Sequence, residues 1–220
     1  AAVAFVMGVI HGLSFILLAG IAWRLLEGDP RRATRAPLLG LAGLLSAAFL
    51  SELGNTMGDN TSAPLVLGAL LLAMDRGTDG PVRSSRLIGA GMLLGLAVGF
   101  KLTNAMYAVA LAGVVMVAPG SCSKRFGTLA VLTLSAGLTF AILTGAWFHR
   151  MDAVFGNPLL PQFNAWFRSP FAAKTILADT RWLPGSLGEA LSWPLLMTLD
   201  AKRVGEMRIH QVAWSILYVL

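Results

Sequence analysis

The sequence predicts an all-α fold, a polytopic transmembrane helix bundle of about six spans plus the start of another, with one long extracytoplasmic loop. Of the 220 residues, 56% are apolar and 13% are charged, whereas soluble domains are about 45–50% apolar and about 25% charged. Long stretches are also almost free of charge, and one span needs about 20 apolar residues. This composition excludes a soluble globular enzyme and a disordered chain.

The first element is a span over residues 1–23, which ends at an interfacial aromatic, Trp23, followed by Arg24. The arginine-rich linker after it, with a Gly-Asp-Pro turn, is typical of a cytoplasmic loop. Residues 37–74 are too long for one span. Because Gly, Asn, Asp and Pro in SELGNTMGDNTSAP break helices, we expect a hairpin with its external tip at residues 54–63.

The next apolar run, residues 87–118, carries Lys101 as its only charge. As one helix its 32 residues would extend about 48 Å, beyond a hydrocarbon core of about 30 Å. We therefore expect a break near residues 99–104, with Lys101 in an external turn. If the run is instead one tilted helix, every later segment changes sides. The spacing of Gly91, Gly95 and Gly99 predicts close helix packing.

The chain as a whole is predicted to have three regions: a helical bundle over residues 1–148, an extracytoplasmic aromatic and Pro-rich loop over 149–210, and the start of another span over 211–220. The bundle ends with an uninterrupted span at residues 126–147, and the loop contains a predicted interfacial helix at 186–199. The loop's rings and cations fit either a lipid-phosphate site or simple interfacial anchoring. Both chain ends lie inside apolar runs, so we expect an internal fragment of a larger protein.

The acidic candidates are Glu52 and Asp59, at the external end of the hairpin. With nearby Asn and Thr side chains they form an oxygen cluster suited to a divalent metal or to polarising a hydroxyl, so they are the candidate metal ligands, if a metal such as Mg or Mn binds. Their glycine neighbours favour loop geometry. The alternative is a solvated turn in which Asp59 caps a helix.

Two further groups lie in apolar surroundings. Lys101, next to Thr103 and Asn104, is placed to stabilise a leaving phosphate, or it is a turn lysine that reaches the headgroups. His11, in the first span, has either a metal or proton-relay role or a hydrogen bond to a neighbouring helix. The dispersed basic residues give no nucleic-acid surface, and the single Cys122 cannot form an internal disulfide.

The combination of GLAVGFKLTN with the later FGNPLLPQFNAWFRSP resembles bacterial membrane glycosyltransferases of the GT-C superfamily, of the mannosyltransferase-like or family-87-like kind. The resemblance implies transfer of a sugar from a polyprenyl-phosphate donor to an unknown glycan, lipid or protein acceptor, on the outer face of a bacterial inner membrane. It places Asp59 and Glu52 in an acidic catalytic loop. It places the donor phosphate at Lys101 or at Arg150, Arg168 and Arg181. The expected base in the first external loop would precede Ala1.

Two other classes remain open. A multispanning transporter or lipid flippase explains a broken helix at Lys101 equally well, because discontinuous helices build substrate sites in transporters. A structural membrane subunit without chemistry is the third class.

Overall fold

The computed structural model describes residues 2–74, 84–175, 183–203, 208 and 210–220. Every regular element in these ranges is helical. The chain divides into two compact units, one of residues Ala1–Leu44 and Glu52–Ala146 and the other of residues Leu45–Ser51 and Trp147–Leu220. The all-α prediction is confirmed for the described part of the chain.

The helices are numbered in chain order. They are α1 (Ala2–Leu25), α2 (Arg32–Leu44), α3 (Ala47–Ser51), α4 (Gly58–Met74), α5 (Ser84–Phe100), α6 (Ala105–Val117), α7 (Cys122–Phe155), α8 (Asn164–Phe167), α9 (Leu187–Leu199) and α10 (Val212–Val219). Short 3-10 turns at Leu102–Asn104 and Ala201–Arg203 complete them.

Two helices are long and apolar enough to cross a bilayer by length and composition, α1 and α7. At 1.5 Å per residue, the 24 residues of α1 extend about 36 Å, enough for a core of about 30 Å. Helix α5 and the segment Leu102–Val117 are apolar but shorter. Two membrane-spanning helices are thus compatible with the described chain, and the six-span bundle stays a prediction.

Polar groups determine the turn between α1 and α2. The Asp29 carboxylate accepts hydrogen bonds from the Arg31 backbone at 2.7 Å and from the Arg35 side chain at 2.5 Å, and these bonds lower the pKa of Asp29. The Arg32 guanidinium lies 4.2 Å from the centre of the Trp23 ring. The turn is therefore tight, and α2 already begins at Arg32, within the predicted linker.

The predicted hairpin at residues 37–74 is wrong in detail. Its first arm divides into α2 and α3, and the second helix already begins at Gly58, within the predicted tip at residues 54–63, and contains Pro64, which we expected to break a helix. Neighbouring helices can compensate for the backbone bond that a proline removes, so Pro64 does not end α4. Asp59 thus lies in the first turn of a helix, where the helix dipole favours a negative charge.

The predicted break at residues 99–104 is confirmed. Helix α5 ends at Phe100, Lys101 is extended with φ −151° and ψ 113°, and a 3-10 turn leads into α6. The carbonyl of Ala97 accepts from the Lys101 backbone N–H at 3.0 Å and from the buried Asn104 amide at 2.9 Å. Both donors bind the same carbonyl near the end of α5, and they hold Lys101 at the junction.

The glycine face of α5 packs directly on the first part of α7. A Cβ on Gly91 would lie 2.6 Å from the carbonyl oxygen of Leu132, and a Cβ on Gly95 would lie 2.3 Å from that of Ala136. Backbone approaches backbone at both positions, so the predicted small-residue contact is confirmed. Buried side chains that surround this contact, including Ala69, Ala90 and Leu94, form the hydrophobic core of the first unit.

The second unit continues α7 to Phe155, seven residues beyond Phe148. The predicted helix at 186–199 is confirmed as α9, which begins after Ser186 and tolerates Pro194. The Ser186 hydroxyl accepts from the Glu189 N–H at 3.1 Å, and the Glu189 carboxylate accepts from the Gly185 N–H at 2.6 Å. This reciprocal capping satisfies N–H groups at the start of α9.

Candidate acidic site at the start of helix α4

Three of the predicted site residues meet in the first unit. Asp59 stands in the first turn of α4, Glu52 in the turn before that helix, and Lys101 at the junction after α5. The Nζ atom of Lys101 donates to Oδ1 of Asp59 at 2.5 Å. The structure therefore brings together residues that are 42 positions apart in the chain.

Packing positions the lysine. A Cβ on Gly58 would lie 3.7 Å from Cδ of Lys101, so the aliphatic stem of Lys101 passes over the first residue of α4. The side chain of Lys101 is 35% exposed and that of Asp59 is 53% exposed. The ion pair is thus accessible to solvent, and a pair of this kind is easily exchanged for another anion.

Glu52 is in a different environment from Asp59. Its side chain is half-buried, and its Oε2 atom is fully buried without a hydrogen-bond partner among the described residues. Burial raises the pKa of Glu52, and the charge and hydrogen bond of the Asp59 carboxyl raise the pKa further. A hydrogen bond from the Asn60 backbone and the charge of Lys101 act in the opposite direction. The Glu52 carboxyl therefore holds its proton more strongly than an ordinary glutamate does.

Hydrogen bonds within the turn and one hydrogen bond to α1 fix the turn that carries Glu52. Gly54 has a φ of +78°, which glycine adopts without strain. The Asn55 side chain accepts from the Met57 N–H at 2.8 Å, and the Asn55 N–H donates to the Glu52 carbonyl at 3.2 Å. The Gly54 N–H donates to Nδ1 of His11, on α1, at 3.2 Å.

Asn104, close to Lys101 in the sequence, has a structural role. Its amide is buried and donates to the backbone of α5. His11 has the second of its two predicted roles, a hydrogen bond to a neighbouring helix, because its Nε2 lies 3.3 Å from the Thr61 hydroxyl on α4. Its link to the acidic turn lay beyond sequence reasoning, since no local pattern connects residues 43 positions apart.

Two of the three predicted cationic residues of the second unit, Arg150 and Arg168, are exposed. Arg150 lies near the end of α7, and Arg168 follows α8 with a left-handed φ of 57°. Neither has an ion-pair partner among the described residues. Arg181 lies outside the described residues, so its predicted phosphate role stays a prediction.

Sequence reasoning missed the polar centre of the loop beside Arg168. Asn157 and Asn164 are fully buried, and Asn164 donates to the carbonyls of Ser169, Ala172 and Ala173 at 2.9–3.2 Å. The Asn164 side chain also accepts from the Ser169 N–H at 2.9 Å. Side-chain amides thus make the backbone hydrogen bonds that a helix or strand would otherwise make. In the sequence, only the asparagines among turn residues indicated this arrangement.

The same loop presents aromatic rings outward. Phe163 and Trp166 stack with their ring centres 5.4 Å apart, and Trp166 is 72% exposed. Phe171 packs edge-on against Phe155 at 5.5 Å. Exposed rings beside Arg168 are typical of a surface at the level of lipid headgroups.

The acidic site offers part of a metal coordination sphere. Glu52 and Asp59 supply carboxylate oxygens, the ligands that Mg and Mn prefer. In the part of the chain that the structure describes, no cluster of three or more His, Cys, Asp or Glu side chains suits a metal. With Asp59 released from Lys101, the two carboxylates would supply only part of the oxygen ligands of a divalent ion.

Comparison with known proteins gives no match: no protein-family model, no curated protein and no solved structure is significantly similar to this chain.

Proposed function

We propose that the chain is part of a membrane glycosyltransferase that moves a sugar from a polyprenyl-phosphate donor to an acceptor. The single observation that carries the proposal is that two carboxyl groups in different environments lie beside a lysine. Lys101 contacts Asp59, while the Glu52 carboxyl has a buried oxygen without a hydrogen-bond partner among the described residues. Such transfer needs a base for the acceptor hydroxyl and a cation for the leaving phosphate.

Glu52 is the better candidate base of the two acids. Its raised pKa is closer to neutral pH, where a general base is most effective, and its Oε2 atom has no hydrogen-bond partner in the part of the chain that the structure describes. The Glu52 carboxylate would accept the proton of the acceptor hydroxyl as that oxygen attacks the anomeric carbon of the sugar. The bond from the sugar to the phosphate oxygen would break on the opposite side.

Lys101 is the candidate for the leaving phosphate. Its ammonium group is partly exposed, and an exposed ion pair contributes little to stability, so a phosphate can replace Asp59 as its partner. Asp59 would then hold the lysine in place before the donor binds. A divalent ion between Asp59 and the phosphate, Mg or Mn, is compatible with this arrangement.

The membrane location of the reaction is part of the same proposal. The donor places the reaction on the extracytoplasmic face of a bacterial inner membrane, within the multi-pass bundle of about six spans, and the described helices α1 and α7 are compatible with it. The alternative to Lys101 is that Arg150, Arg168 and Arg181, on the loop at 149–210, would meet the donor phosphate. A transporter or flippase is the alternative, since α5 and α6 are separated by an extended residue at Lys101.

The test is a transfer assay with the full-length protein in proteoliposomes, using radiolabelled polyprenyl-phosphate sugars and cell-envelope acceptors. Glu52→Gln keeps the shape of the side chain and removes the base, so we expect transfer to fall by about 10²–10⁴-fold. Glu27→Gln is the matched control, because Glu27 is exposed in the turn after α1, and it should retain full transfer.

Undiminished transfer by Glu52→Gln would remove the proposed base. If the wild-type protein instead moves polyprenyl phosphate across the vesicle membrane without transferring sugar, the transporter class replaces the transferase class.

A further inference from the structure

His11 links the acidic turn to the first helix. Its side chain is fully buried, with a relative exposure of 0%. The two ring nitrogens contact two different parts of the site: Nδ1 lies 3.2 Å from the Gly54 N–H, and Nε2 lies 3.3 Å from the Thr61 hydroxyl. Gly54 follows Glu52 by two residues and Thr61 follows Asp59 by two residues. One side chain of α1 therefore holds both acidic positions.

The hydrogen bonds determine which nitrogen of His11 carries the proton. A backbone N–H can only donate, so Nδ1 of His11 must accept from Gly54 and has no proton. The neutral ring then carries its proton on Nε2, which donates to the Thr61 oxygen. The Thr61 hydroxyl in turn has acceptors within reach in the Met57 carbonyl at 3.5 Å and the Met7 sulfur at 3.9 Å.

We infer that His11 is a positioning residue of the acidic site, whose Nδ1 acceptor holds the Gly54 turn in the conformation that buries Oε2 of Glu52. The role of His11 in catalysis rests on the proposed function, whereas its hydrogen bonds to the turn and to α4 do not. Metal ligation by His11 would need a free ring nitrogen, and both nitrogens are engaged. These contacts favour a positioning role over metal ligation.

Two amide variants separate the two bonds of the ring. In His11→Asn the amide oxygen can occupy the place of Nδ1 and accept from Gly54, whereas the bond to Thr61 is lost. In His11→Gln the amide nitrogen can occupy the place of Nε2 and donate to Thr61, whereas the acceptor for Gly54 is lost. Thr61→Val is the matched control, because it removes the hydroxyl and leaves His11 and Gly54 unchanged.

The readout is the reaction of Glu52 with dicyclohexylcarbodiimide, which adds to protonated carboxyl groups in apolar surroundings and is located by mass spectrometry. The full-length protein is labelled in detergent at one mildly acidic pH, at which carboxyl groups carry protons, with Glu52→Gln as the blank. When the turn loosens, the surroundings of Glu52 become hydrated instead of apolar, so we expect His11→Gln to lower the labelling by about threefold or more. His11→Asn and Thr61→Val should stay close to wild type.

Equal labelling in His11→Gln and His11→Asn would overturn the inference, as would nitrogen-15 NMR of labelled histidine showing the His11 proton on Nδ1. The assay needs no sugar donor, so the two proposals can fail separately. Loss of labelling in His11→Gln alone, together with a wild-type protein that transfers no sugar, would support the positioning role and refute the transferase.

Discussion

The contact between α5 and α7 allows a sharp stability prediction for Gly91→Ala. The added Cβ would lie 1.8 Å from the Ser135 hydroxyl and 2.6 Å from the Leu132 carbonyl oxygen. The serine side chain can rotate, but the carbonyl belongs to a helix, so the two helices must separate by up to about 1 Å. A gap of about 0.5–1 Å forfeits roughly a quarter to a half of the dispersion energy across a contact. We expect a loss of about 1–3 kcal/mol in the free energy of unfolding.

The measurement is reversible unfolding in mixed micelles with increasing dodecyl sulfate, followed by tryptophan fluorescence. The matched control is Gly137→Ala on α7, where a Cβ would have no neighbour within 4 Å. Alanine is favoured over glycine inside a helix by about 0.5–1 kcal/mol, so the control should be neutral or stabilising. If Gly91→Ala and Gly137→Ala unfold at the same detergent fraction, the close packing of α5 on α7 is refuted.

Three further predictions concern charged and polar groups. Lys101→Met should cost only about 0–1 kcal/mol of unfolding free energy, because its partner Asp59 is exposed. A double-mutant cycle with Asp59→Asn measures the coupling energy of the two side chains. A coupling well above this range would contradict an accessible ion pair. Asn164→Ala should cost at least about 1–3 kcal/mol and speed proteolysis of the loop, since it leaves buried carbonyls unpaired; the exposed Gln162→Ala should not. Burial raises the pKa of Glu52, so the contribution of Glu52 to the free energy of unfolding is present below its ordinary pKa and is lost as pH rises through the raised pKa. Glu52→Gln should flatten this decrease of the unfolding free energy with pH. An unchanged slope would contradict the prediction.

Sequence reasoning located the elements that follow from length and periodicity. The apolar run at residues 87–118 is too long for one span, and the structure ends α5 at Phe100. The glycine spacing of α5 predicted its packing face, and the apolar spacing after Ser186 predicted α9. In each case the information lies within a few turns of chain, which is the range over which a sequence pattern reports structure.

The sequence predicted which residues belong to the candidate site, but not how their side chains contact one another. Isolated charges in apolar surroundings pointed to Glu52, Asp59 and Lys101 because burying them is costly. Their contacts depend on how α4 packs on α5 and α1, and no local pattern carries that information. The same limit explains why the link from His11 to Gly54 emerged only from the structure.

The packing of α5 and the chemistry at its end are physically connected. Lys101 directly follows α5, and its bond to Asp59 spans 2.5 Å. A displacement of α5 by about 1 Å would stretch that bond beyond the roughly 3 Å of a charged hydrogen bond. Gly91→Ala should therefore weaken the pair, and its effect on stability should not add to that of Lys101→Met, although residues this far apart normally behave additively. If the double-mutant cycle gives a coupling near about 1 kcal/mol for Lys101 and Asp59, strict additivity of Gly91→Ala and Lys101→Met would mean that α5 bends to absorb the new methyl group before the junction. The glycine face would then support the fold without controlling the site.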